Sequence, residues 1–113
     1  MFTTFPPQYT QLLAKLGDID THEAHSGVSH SGVYLYGRIA LPERNETYAI
    51  AEDEPDYVMI GQDGDIAFFV HRSCADETIY ANDLGALGSL KMQAIAPDID
   101  AFIRQLEQGI RAY

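Results

Sequence analysis

The stretch that most constrains this chain runs from Tyr57 to His71, where two apolar runs of strand length flank Gly61-Gln62-Asp63-Gly64. Nothing inside either run breaks a strand, and Tyr, Val, Ile and Phe suit a pleated surface. Asp63-Gly64 is the dipeptide that tight hairpin turns favour, because it tolerates positive φ, and Gly61 offers a second permissive position. The two runs are therefore expected to form a central hairpin turning over residues 61–64. Ile66, Phe68 and Val70 fall on one face of its second strand, and Ala67, Phe69 and His71 on the other.

The rest of the chain arranges itself around that hairpin. Tyr9, Leu12, Leu13 and Leu16 repeat at helical spacing, so residues 5–17 are expected to form a helix. Pro6 and Pro7 fit its first turn, and Gly17 is a fitting stop. Residues 18–32 are polar and read as a connection. Alternation of Val33, Leu35 and Gly37 with Tyr34, Tyr36 and Arg38 predicts a strand to Leu41, followed by a turn at Pro42-Glu43-Arg44-Asn45 and a short strand over 47–51. Beyond the hairpin, strands are expected over 77–81 and 90–95, with residues 82–89 as a loop. Asp98 is placed to cap a C-terminal helix carrying Ile99, Phe102, Ile103, Leu106 and Ile110 at helical spacing, with Glu107 and Arg111 as an i,i+4 pair on its exposed side. The expected fold is α+β. It is one domain over residues 1–113, a mainly antiparallel sheet of five or six strands with N-terminal and C-terminal helices packed against it.

Charge narrows the classes of partner. Seventeen acidic residues against seven Lys and Arg give a net charge of −10. That balance disfavours nucleic acid, whose binding rests on neutralising phosphates. It serves either solubility or attraction to a basic partner, and composition leaves both open. No run approaches the roughly 20 apolar residues of a membrane span. Met1 to Pro7 has neither a basic n-region nor an apolar h-region, so no signal peptide is expected. Cys74 is the single cysteine, which fits a reducing cytoplasm.

Candidate chemistry is sparse. His22, His25 and His30 lie close together with Asp18, Asp20 and Glu23 nearby, the residue types of a zinc site. However, Thr21-His22-Glu23-Ala24-His25 lacks the i,i+4 histidine pair of the metalloprotease helix. Exposed loop residues are the favoured reading, and a small metal-dependent enzyme built on this cluster is a remote one. Cys74 has Arg72 nearby to lower its pKa but no local signature of an oriented base. Gly85-Ala86-Leu87-Gly88 has the glycine pair of an RNA-clamping loop without the basic flanks. No catalytic residue and no cofactor is expected.

The order of motifs resembles the SUKH superfamily, which groups fungal cell-wall-assembly regulators with many bacterial toxin-immunity proteins. Phe5-Pro6-Pro7-Gln8-Tyr9-Thr10-Gln11-Leu12-Leu13 is similar to its opening helix. Tyr57 to Ile66 is similar to its central hairpin, and Ile79-Tyr80 to the short strand that follows. Ile95-Ala96-Pro97-Asp98-Ile99-Asp100-Ala101-Phe102-Ile103 resembles its closing Ala-Pro and capped helix. The similarity is greatest over residues 57–110 and least over 18–50. Where the family commonly has an Asn-Gly-rich turn, this chain has Gly17-Asp18, and it has no tryptophan.

The resemblance implies a non-enzymatic cytoplasmic protein that binds another protein, most naturally a bacterial immunity protein neutralising a polymorphic toxin domain. A regulatory or scaffolding protein of the same fold is the alternative. A surface for a basic toxin should gather carboxylates around aromatic anchors, since charge steers encounter and buried anchors hold the complex. Two stretches fit: Glu52, Asp53, Glu54 and Asp56 leading into Tyr57, and Asp76 and Glu77 with Tyr80 and Asp83. Their strands flank the same neighbour, so the two stretches are expected on adjoining edges of one face.

Overall fold

The structure is a computed structural model that describes residues 21–23, 33–36, 40–73, 76–89 and 91–108. Its centre is a six-stranded antiparallel sheet whose strands lie side by side in chain order. They are β1 (Thr21–Glu23), β2 (Val33–Tyr36), β3 (Tyr57–Asp63), β4 (Ile66–His71), β5 (Ile79–Asp83) and β6 (Gln93–Ala96). Among the described residues three helices accompany it: α1 (Ala40–Thr47), α2 (Ile50–Asp53) and α3 (Ile99–Glu107). The expected α+β class is the observed one. The expected N-terminal helix over 5–17, the 18–20 and 24–32 parts of the polar connection, residues 37–39 of the first expected strand, Cys74, Leu90, and Ile110 and Arg111 fall outside the described residues.

The hairpin is β3–β4, with its four-residue turn at 63–66, two residues later than expected. Asp63 pairs with Ile66, leaving a two-residue loop of Gly64 and Asp65. Only its first position has positive φ, +58° at Gly64. Two-residue loops of this kind match the right-handed twist of the strands they join, and glycine takes the conformation without a Cβ penalty. Gly61, Gln62 and Asp63 belong to the strand instead. Between Met59 and Gly61 the register slips, so Ile60 is the extra residue of a bulge.

Both faces of the hairpin are covered, which alternation alone did not foresee. Ala67, Phe68, Phe69 and Val70 are all fully buried, as are Val58, Met59 and Ile60. Phe68 meets Phe102 of α3 with ring centroids 4.8 Å apart. Ile99, Phe102 and Leu106 form the buried stripe of α3, and Asp98 Oδ1 caps it by accepting from Ala101 N at 2.8 Å. The C-terminal helix thus packs as its spacing predicts.

The segment 40–53 corrects the sequence reading. Leu41 begins no strand end, Pro42 to Asn45 make no turn, and residues 47–51 make no strand; the segment is α1 and α2. Pro42 sits in the first turn of α1, where a missing N–H breaks no helical bond. Asn45 is a mediocre helix former, but tertiary bonds override that preference. Its buried amide donates from Nδ2 to Met59 O at 2.9 Å and to Leu41 O at 2.8 Å, while Met59 N donates to its Oδ1 at 2.8 Å. One side chain thereby satisfies both backbone groups of Met59, beyond the point where β2 stops pairing with β3. Ala49, at φ 52°, separates the two helices, and Leu41 and Ile50 carry them into the core.

Two further boundaries shift. The strand expected over 77–81 is Ile79–Asp83, and the one expected over 90–95 is Gln93–Ala96, followed by Pro97 and the cap of α3. In β6 the buried positions are Ile95 and Ala96, whereas Ala94 is exposed, so burial here does not follow the expected Ala94 frame. A slip in pairing between Ile79 and Tyr80 accounts for consecutive burial there.

Candidate functional site

The strands place a half-buried aromatic cluster at one end of the sheet. Tyr57 opens β3 and pairs with His71 at the end of β4, while Phe69 pairs with Tyr80 on β5. Tyr57 stands edge-on to three rings: Tyr80 and His71 at 5.3 Å and Phe69 at 6.3 Å. Phe69 is buried, and Tyr57, His71 and Tyr80 are half-buried above it. Such perpendicular pairs are a favoured aromatic geometry.

Carboxylates ring this cluster. Asp76 accepts from Tyr80 Oη at 2.7 Å through Oδ2 and from Thr78 N at 3.0 Å through Oδ1. Burial alone pushes the Asp76 carboxyl up, but the bonds from Tyr80 and Thr78 and the nearness of His71 outweigh it, and the group titrates below the ordinary aspartate value. The Tyr80 phenol is raised in turn, first by that bond to Asp76 and then by burial. Tyr57 is also raised, chiefly by burial and then by the charges of Glu54, Asp76 and Asp56. Three carboxylates from two separate stretches therefore act on one phenol.

The acidic loop reaches the cluster along a fixed path. Glu54 follows α2 and donates its N–H to Ile50 O at 2.7 Å, and its Oε2 accepts from Gly88 N at 2.8 Å. Gly88 takes φ +79° and lies against Asp53, whose carbonyl oxygen would be 3.6 Å from an added Cβ. Arg72 N donates to Asp56 O at 2.9 Å, tying the loop to the far end of the hairpin. Between α2 and the Gly88 turn runs an open groove of about 360 Å³, bounded by Asp53, Glu54, Tyr57, Gly88, Lys91 and Met92.

Of the residues singled out from sequence, Glu54, Asp56, Tyr57, Asp76 and Tyr80 come together here, and Asp53 lines the adjoining groove. Glu52 is exposed on α2, and Glu77 is half-buried in the approach to β5. Asp83 does not join them. It pairs with Ile66 at the opposite end of β4 and β5, and its Oδ1 accepts from Gly85 N at 2.7 Å to cap the 3-10 turn Leu84–Ala86. Three residues along a strand put it about 10 Å from Tyr80. His71, Gly88, Lys91 and Met92 were not foreseen. His71 was within reach, because the hairpin register makes it the partner of Tyr57; the Gly88 contact, 34 residues from Glu54, leaves no local trace.

Among the described residues, no group of three or more His, Cys, Asp or Glu side chains could hold a metal ion. Of the three clustered histidines, His22 lies in β1, and His25 and His30 fall outside the described residues. No helix among the described residues is long and apolar enough to cross a membrane. No protein-family model matches the chain, and no curated protein is similar to it.

Proposed function

We propose that this is a non-enzymatic binding protein, a cytoplasmic immunity protein of the SUKH type that occludes a basic toxin domain through its acidic aromatic face. One observation carries the reading: the half-buried Tyr57 and Tyr80 stand edge-on at 5.3 Å, with Asp76 bonded to Tyr80 on one side and Glu54 sharing a groove with Tyr57 on the other. Half-buried tyrosines offer contact area at low cost in rotamer entropy, and ringing carboxylates speed encounter with a cationic surface. The net charge of −10 has the same sign and favours encounter with a cationic partner. The motif resemblance supplies the class of partner.

Co-purification with the product of the neighbouring gene tests the partner, and association kinetics test the face. Reversing Glu52, Asp53 and Glu54 to Lys should slow association by about tenfold or more at low salt and flatten its salt dependence. Glu52 and Asp53 are exposed, so any fall in the thermal midpoint should come from Glu54→Lys, which removes the acceptor of the Gly88 N–H. A neighbouring product that does not bind removes the immunity reading. Unchanged association rates place the interface elsewhere on the molecule.

A further inference from the structure

The groove between α2 and the Gly88 turn adjoins the aromatic face but differs from it in chemistry. Its walls combine an exposed Asp53, the Glu54 carboxylate, one side of Tyr57, the half-buried Met92 and an exposed Lys91. Glu54 is not a free-swinging charge. Gly88 N holds its Oε2 at 2.8 Å, which fixes the carboxylate at the wall of the groove.

We propose that this groove seats a single arginine side chain of the protein partner, an inference that rests on the binding reading above. Charge complementarity selects a cation, because two carboxylates border the groove and the charges of Asp56 and Asp76 act on Tyr57 as well. A planar guanidinium donates to two separated acceptors at once and stacks on an aromatic ring, so it can engage Asp53, Glu54 and Tyr57 together. A compact ammonium keeps its water more strongly in an open site and has no flat face to stack. Met92 gives the methylene stem an apolar wall. Lys91 on the same rim repels a second cation, so the fit is for one arginine with a neutral or acidic neighbour and not for a polybasic run.

The test uses blocked tripeptides, Ac-Ser-Arg-Ser-NH2 and its lysine and citrulline counterparts, titrated into the full chain while NMR follows the Gly88 amide and the Tyr57 ring. Citrulline keeps the shape of arginine without its charge. The arginine peptide should shift both signals saturably, with the citrulline peptide roughly tenfold weaker and lysine intermediate. Asp53→Asn should weaken the arginine peptide several-fold, and Lys91→Glu should strengthen it. Absence of a saturable shift at Gly88 and Tyr57 overturns the proposal, as does citrulline or lysine matching arginine. The two readings fail separately. A neighbouring gene product that binds normally while the arginine peptide does not would leave the immunity reading and remove the groove; the converse would leave the groove and remove the toxin partner.

Discussion

The β3–β4 hairpin and the segment 40–53 lie against each other, yet only the first was readable from its own residues. In the hairpin every determinant is local: two apolar runs, a glycine at the turn position, and a cross-strand register that the turn fixes. In 40–53 the determinant is remote. Asn45 is held in a helix by bonds to Met59, 14 residues away, and over residues 41–53 the core positions are Leu41, Asn45 and Ile50. That is too sparse a stripe to declare a period. Local chemistry fixes structure that is nucleated locally; a segment recruited by its neighbour's unsatisfied backbone carries its signal in that neighbour.

Mutations can break or sharpen this contrast. The strongest effect should come from the locally readable side: Phe102→Ala removes the ring that faces Phe68 and should cost on the order of 3–5 kcal/mol. Chemical denaturation measures it, and a wild-type midpoint would take α3 out of the core. Asn45→Leu asks whether the remote side matters comparably. It keeps the branched shape but leaves Met59 N–H and C=O buried without partners, at about 1–3 kcal/mol for each unsatisfied group. A loss below about 0.5 kcal/mol would show that α1 is an appendage of the hairpin.

Two backbone substitutions act in opposite directions. Gly64→Val forces a β-branched residue to φ +58° and should destabilise by about 1 kcal/mol or more. Ala49→Gly relieves the left-handed residue between α1 and α2 and should stabilise by about 0.5–1 kcal/mol. Thermal unfolding of both variants decides whether each connection holds the conformation described.

The smallest effect is a titration. Asp76 has a depressed folded-state pKa. Its contribution to stability is therefore present above the ordinary carboxylate range, about pH 4, and is lost as pH falls through the depressed value. Tyr80→Phe deletes the bond to Oδ2 and should move the Asp76 pKa upward, toward the ordinary value. Carboxyl carbon NMR reads this directly, and an unmoved pKa would dissociate Asp76 from Tyr80 in solution.

The candidate site divides along the same line as the fold. Its acids and tyrosines were legible because charge and aromatic character are properties of residue type. Their assembly was legible only in part. Tyr57 and Tyr80 meet because β3 and β5 flank β4, which a meander topology implies. Asp83 lies apart from the cluster because β5 runs two residues later than its apolar content suggests, which turns an expected loop acid into a strand end and a cap. Gly88 could not have been found at all, since its role is to point an N–H at a carboxylate that folding brings to it.

The pairing of Asn45 with Met59 also has a kinetic consequence. An amide in the middle of a strand ordinarily exchanges with solvent only when its neighbouring strand separates. The Met59 amide is bonded to a helix side chain, so its exchange is gated by any opening that lifts α1, whether or not the strands part. The Leu41 carbonyl shares the same side chain, which makes fraying of α1 and exposure of Met59 one event. Hydrogen exchange should then show Met59 and the α1 amides leaving together, as a unit less protected than Phe68 and Phe69 on the adjacent strand.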